Sequence, residues 1–115
     1  MHELSLAQTL LETVEAEARR RPGTRVVTVG VRVGELSGVD PEALSFSFEA
    51  LVADTALAPL ALAIERCPRR HRCPRCDFSF AATDSDFACP RCGSTPTRCV
   101  GGDELELTFL EVEEP

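Results

Sequence analysis

Cys73-Pro74-Arg75-Cys76, then twelve residues, then Cys89-Pro90-Arg91-Cys92: the chain is organised around those two pairs. Two C-x2-C pairs at this separation have the spacing of a structural zinc site. Each pair forms a tight turn that aims two thiolates inward, and the arm between them returns as a hairpin to complete a tetrahedral set of four sulfurs. Zn²⁺ accepts tetrahedral thiolate with no redox demand, although the same geometry also admits iron. Two disulfides are the weaker alternative, because the cysteines are grouped in pairs and no signal peptide is evident. With all four ligands on one ion no coordination position stays open, so the ion is a scaffold rather than a Lewis acid. Metal binding by such small modules contributes about 10–16 kcal/mol, most of it folding energy. Phe78, Phe80 and Phe87 are expected to pack against the arms. Gly93 suits a left-handed turn after the second pair, and Asp77 is expected to serve as the matching turn residue rather than as a ligand.

The remainder is globular in composition, 43% hydrophobic and 27% charged over 115 residues, which allows one small domain with a metal-held appendage. No run reaches the eighteen apolar residues of a membrane span, and Met1-His2-Glu3-Leu4-Ser5 has no basic region ahead of a hydrophobic run. Six cysteines without a signal peptide point to a reducing cytoplasm and bound metal. The net charge of −7 is unevenly spread. Residues 65–99 hold four acids and seven arginines, whereas residues 100–115 hold six acids and no base. Four bound thiolates around Zn²⁺ would lower the charge of the basic stretch by about two. The overall acidity disfavours nucleic acid and favours a protein or metal-ion partner.

Outward from the cysteines, the periodicities predict an α+β fold: two helices on a small mixed three-stranded sheet, with a zinc-ribbon-like four-cysteine module inserted. Leu4, Ala7, Leu10, Leu11, Val14 and Ala18 form a helical stripe over residues 4–21. Ser5 and Gln8 have capping-box spacing, and Pro22-Gly23 stops the helix. Val27, Val29, Val31 and Val33 alternate in a strand over 25–33 that should be central. Gly34 and Gly38 in the loop that follows imply unusual backbone angles or close contact. Asp40-Pro41 caps and starts a second helix with Leu44, Phe48, Leu51 and Val52 on its buried stripe. A second strand at 60–66 would run parallel to the first, and a last strand at 104–112 rejoins the sheet, with a bulge where alternation breaks at Phe109-Leu110. The expected division is residues 1–66 plus 101–115 as an α/β domain and 67–100 as the zinc-binding module, with a hinge at Arg66 to Arg72.

Conventional catalytic patterns are missing. There is no phosphate loop, no lysine, and neither His2 nor His71 belongs to an H-E-x-x-H motif, so the chain is expected not to be an enzyme. His2 lies beside the terminus, where amine, amides and imidazole can close small chelate rings. Planar four-nitrogen sites suit Ni(II) or Cu(II). The Met1 amine, the His2 amide and the His2 ring supply three nitrogens, and the Glu3 amide or carboxylate a fourth donor. The plainer alternative is a frayed surface histidine.

These residues together resemble the HypA (HybF) family of nickel-delivery proteins for hydrogenase and urease. The resemblance rests on Met1-His2-Glu3-Leu4-Ser5, on Gly34-Glu35-Leu36-Ser37-Gly38-Val39-Asp40-Pro41, on Phe46-Ser47-Phe48-Glu49, on the two C-x2-C pairs, and on Gly102-Asp103-Glu104-Leu105 with Leu110-Glu111-Val112-Glu113. It covers essentially the whole chain. It implies Ni(II) as transient cargo bound by His2 with nitrogens at Met1 and Glu3, and structural Zn²⁺ on Cys73, Cys76, Cys89 and Cys92. It also implies delivery to the large subunit of a [NiFe] hydrogenase together with the GTPase HypB, with urease maturation proteins as further partners of some members. No nucleic acid or membrane partner is implied.

Three residues fall outside that pattern. Cys67 and Cys99 flank the module as a second soft site, a redox pair or packing thiols, and His71 reads as a polar hinge residue or an accessory ligand. Competing classes are a nucleic-acid-binding zinc ribbon using Arg69, Arg70, Arg72, Arg75, Arg91 and Arg98, a zinc-ribbon protein adaptor, and a rubredoxin-like iron carrier.

Overall fold

The protein is described by a computed structural model over residues 2–82 and 87–114. The elements in chain order are α1 (His2–Arg20), β1 (Arg25–Gly34), α2 (Pro41–Val52), β2 (Ala61–Cys67), β3 (Arg70–Arg72), β4 (Ser79–Ala81), β5 (Arg98–Gly101) and β6 (Leu105–Glu113). They form two sheets of three strands, ordered β2-β1-β6 and β4-β3-β5. The radius of gyration is 18.2 Å, with extents of 55 × 28 × 16 Å. A compact chain of this length would have a radius of about 13 Å, so the molecule is elongated.

The first sheet is mixed as expected: β1 runs parallel to β2 and antiparallel to β6. Both helices contribute to one core against it, with Ala7, Leu10 and Val14 from α1 and Leu44, Phe48 and Val52 from α2 buried. Burying each of the larger of these side chains stabilises by about 1.5–3 kcal/mol. The Asp40 cap is formed as read: its Oδ1 accepts from the Glu42 amide at 3.0 Å, and Pro41 follows as the first helical residue.

The valine alternation of β1 is interrupted in a way the pattern does not indicate. Val26 pairs with Val112 and Thr28 with Glu111, so Val27 is an extra residue, and Val26 rather than Val27 is fully buried. On β6, Gly30 pairs with Phe109 and Val31 with Leu107, so Thr108 is extra. This is the expected bulge, one residue earlier than the break in alternation. Together the two slips keep Val26/Val112, Val29/Leu110, Val31/Leu107 and Val33/Leu105 in register. On the face away from the helices the Phe109 ring lies over Gly30, where a Cβ would come within 2.1 Å of it. Arg32 on that face bridges Glu65 and Glu106, both at 3.3 Å.

α1 begins at His2, earlier than the sequence suggests, and this removes the capping box. Ser5 sits inside the helix, and its carbonyl accepts from the Thr9 hydroxyl at 3.1 Å. The tie at this end comes instead from Glu3, whose Oε2 accepts from the Asp40 amide at 3.1 Å and so joins the start of α1 to the cap of α2.

The two sheets meet at a fixed joint. The Gly34 amide donates to Glu104 O at 2.7 Å and the Leu36 amide to Gly102 O at 2.6 Å. The Glu35 amide donates to Cys67 O at 2.8 Å, and its carboxylate accepts from the Arg69 amide at 3.2 Å. One loop therefore holds both crossing segments. A Cβ on Gly34 would lie 2.1 Å from Gly102 O, so the glycine is there for close approach; Gly102 itself has φ +117.

Candidate metal centre

Each C-x2-C turn is built by the same local bonds. The Asp77 amide donates to Cys73 O at 2.9 Å and the Gly93 amide to Cys89 O at 2.8 Å. The Cys73 amide donates to Phe78 O at 2.9 Å and the Cys89 amide to Ser94 O at 3.0 Å. Both closing residues are left-handed, Asp77 at φ 65 and Gly93 at φ 78, so Asp77 is the turn residue the sequence indicates. Proline at the second position of each pair leaves the following amides free to aim at sulfur. The Arg75 and Cys76 amides both lie 3.4 Å from Cys73 Sγ.

The four ligand atoms Cys73, Cys76, Cys89 and Cys92 Sγ all lie within 4.8 Å of one another. Cys73 and Cys92 are 3.5 Å apart, and Cys76 and Cys89 3.6 Å. Tetrahedral thiolates at about 2.3 Å from one ion sit roughly 3.8 Å from each other. The cluster therefore fits one tetrahedral ion and is compatible with zinc. Its electrostatics call for a cation. Hydrogen bonds from the Ser94 hydroxyl and amide, then the Cys73 sulfur, pull Cys92 down to about 6. Burial pushes Cys89 up, but the Cys92 and Arg91 amides and the Cys76 sulfur outweigh it and bring the thiol below its usual range. At Cys76 the Phe78 amide acts downward, yet burial and the three neighbouring sulfurs carry it up to about 11. Four thiolates packed this closely ionise together only around positive charge. Among the described residues this is the one cluster of three or more such metal-binding side chains.

His71 is neither a ligand of this cluster nor a hinge residue; it is the core of the second sheet, 2% exposed. Its Nε2 accepts from Arg69 Nε at 2.7 Å, and its Nδ1 lies 2.9 Å from Thr97 Oγ1. The Thr97 hydroxyl donates in turn to Phe87 O. That directional chain sets the tautomer with hydrogen on Nδ1. The ring stacks on Phe87 at 4.6 Å, and the Arg69 guanidinium covers the same ring at 4.2 Å. Phe78 and Phe80 stack at 6.2 Å, so the three phenylalanines pack against the arms as expected. The signal for a buried histidine is its place between Arg70 and Arg72 in an alternating strand, but its partners come from three other positions.

His2 is the exposed first described residue of α1, and Met1 lies outside the described residues. The Asp40 amide, followed by Glu3's own amide, holds the Glu3 carboxyl below its ordinary range. The first amides of a helix have no intrahelical acceptor, so those at His2 and Glu3 are not committed to the helix ladder. Cys67 and Cys99 do not join the sulfur cluster. Burial, with help from Glu104 and Glu65, pushes the Cys67 thiol up. Cys99 Sγ lies 3.5 Å from Gly101 O.

An α/β body tied to a four-cysteine ribbon, with a histidine at an exposed helix start, defines a class of small proteins with a four-sulfur site able to hold a metal ion. Residues 1–112 match the family described as "Hydrogenase/urease nickel incorporation, metallochaperone, hypA". The chain is 42% identical over 113 residues to the hydrogenase maturation factor HypA of Geobacter metallireducens, covering 98% of this chain and 100% of that one. It is 43% identical over 115 residues to that of Roseiflexus sp., covering 99% and 94%. Among solved structures it is similar to a HypA protein at TM-score 0.66 and 26% identity, covering 96% of this chain and 95% of that one. The fold also matches the nickel metallochaperone HypA from Helicobacter pylori at TM-score 0.60 and 24% identity, covering 98% of each. The chain belongs to the HypA family of nickel metallochaperones for hydrogenase maturation. Among the described residues no helix is long and apolar enough to cross a membrane.

Proposed function

We propose that this chain binds Ni(II) at its N-terminus and hands it to the large subunit of a [NiFe] hydrogenase in the cytoplasm, with the GTPase HypB as partner. It acts as a carrier and not as an enzyme. Residues 1–66 with 101–115 form the nickel-handling unit, and residues 67–100 the zinc-held unit. The observation that carries the reading is the whole-length family match on a chain whose second residue is an exposed histidine at the start of a helix.

The residues divide the work by how tightly they are held. Cys73, Cys76, Cys89 and Cys92 would hold Zn²⁺, which supplies fixed tetrahedral geometry and no open position. Cys73 and Cys89 are buried, and their amides are locked in the turns, so this ion stays. His2 with the amine of Met1 and the amides of His2 and Glu3 gives a planar nitrogen set for nickel. Few packed contacts break when such a terminal site releases its cargo. A planar chelate needs the first residues extended, so nickel binding unwinds the start of α1, at the cost of the few ladder bonds accepted by its first carbonyls.

The test replaces the resident HypA of a hydrogenase-producing cell with this chain or with its His2→Ala variant. The nickel content of the purified large subunit should be restored by the first and not by the second at equal protein levels. Equal restoration by both would place nickel handling elsewhere.

A further inference from the structure

We propose that the ribbon carries a carboxylate-binding clamp, formed by Arg72 and Arg98, that docks an acidic segment of a partner protein. Arg72 on β3 and Arg98 on β5 are directly opposite in the antiparallel register. Two like charges so placed repel each other, and a strand pair gains nothing by itself from that arrangement. Both side chains line one open cavity of about 250 Å³ together with Pro74 and Asp77. Arg72 makes a single ion pair, from Nε to Asp77 Oδ1 at 3.4 Å, and both groups are largely exposed. Arg98 makes no ion pair among the described residues. Among the described residues, most of the two planar donor forks is therefore open to an oxygen ligand.

The cysteine cluster does not account for these arginines. The described contacts to its sulfurs come from backbone amides, from Ser94 and from other sulfurs, with no guanidinium among them. The chemistry of the cavity selects the ligand. Asp77 on its rim leaves a net charge near +1 on the three groups, which suits a single carboxylate better than a dianionic phosphate. Pro74 gives an apolar wall for the methylenes of a glutamate. The net charge of −7 on the whole chain repels a polyanion such as nucleic acid while leaving a short acidic segment able to approach the ribbon. Because Asp77 is also the left-handed residue that closes the first cysteine turn, an incoming carboxylate competes with a group that belongs to the metal-site turn.

The sign of the Asp77 effect separates the clamp from general attraction to a basic surface only when set beside the arginine variants. The probe is acetyl-tetraglutamate amide, titrated at low salt into the zinc-loaded full chain while the Arg72 and Arg98 Nε–Hε resonances are followed by NMR. Acetyl-tetraglutamine amide and inorganic phosphate serve as comparison ligands. The tetraglutamate should move both resonances, and Arg98→Gln and Arg72→Gln should each weaken binding about three- to tenfold. Asp77→Asn, which keeps a residue tolerant of the left-handed turn, should strengthen it about two- to fivefold. Arg25→Gln on the body should change it less than about twofold. Unmoved resonances, wild-type affinity in Arg98→Gln, weaker binding by Asp77→Asn, or tighter binding of phosphate than of the acidic peptide would each overturn the proposal.

Discussion

Replacing Gly34 by alanine should loosen the joint between the two sheets while leaving the metal centre intact. The added Cβ would lie 2.1 Å from Gly102 O, 2.5 Å from Gly102 C and 2.6 Å from the Glu104 amide nitrogen. All three are backbone atoms, so no side chain can rotate away. Carbon contacts settle near 3.5 Å, so the 102–104 segment must retreat by more than about 1 Å. That retreat strains or breaks the bonds from Gly34 N to Glu104 O and from Leu36 N to Gly102 O. Two lost backbone bonds destabilise by about 1–3 kcal/mol together. Overpacking adds about 1–3 kcal/mol. The expected loss is about 2–6 kcal/mol, read by urea unfolding of the zinc-loaded protein with helix CD as the signal. Zinc content should stay unchanged, and residual dipolar couplings should show the second sheet reorienting against the first. Full stability with unchanged couplings would mean that close approach at Gly34 does not set the joint.

Three further outcomes are expected. His71→Ala removes a buried ring with both nitrogens partnered and should destabilise the ribbon by about 2–4 kcal/mol, measured as earlier zinc release during thermal unfolding. Glu3→Gln should loosen the tie between α1 and the α2 cap. Because the folded carboxyl is held below its unfolded value near 4.3, the tie is present at neutral pH and is lost as pH falls through the depressed folded value, which a titration of the Asp40 amide resonance would follow. Removing the ribbon metal with a strong chelator should collapse the dispersed signals of residues 70–101 while α1 and α2 keep their helical CD, since the helix core lies wholly on the first sheet.

The parts of the fold that can be read from the sequence are those set by neighbours in the chain. Asp40-Pro41 caps α2 within three residues, the valines of β1 report a half-buried strand directly, and each cysteine turn is closed by its own next residue. The bulges at Val27 and Thr108 are harder to read, because two slips on different strands compensate and leave the average alternation nearly intact. The start of α1 is hidden because Ser5 and Gln8 match a capping pattern, while the tie that replaces it runs from Glu3 to Asp40, thirty-seven residues away. His71 hides its role for a similar reason: Arg69, Thr97 and Phe87 surround it from separate segments, and no period marks them. Gly34 announces a close approach without saying to what. The cysteine cluster is legible from spacing alone, whereas His2 becomes a strong candidate ligand only through the resemblance of the whole chain.

In the proposed function, His2 and the chain terminus form the nickel site, apart from the cysteine cluster. Its most direct test is titration of Ni(II) into untagged, zinc-loaded protein with a free terminal amine, beside the His2→Ala variant. The expected result is a specific site near one equivalent per chain, on the order of a single planar chelate, with a planar Ni(II) absorption band that is largely lost in His2→Ala while zinc content holds. Equal nickel binding by both proteins, or displacement of zinc by nickel at the four cysteines, would contradict it.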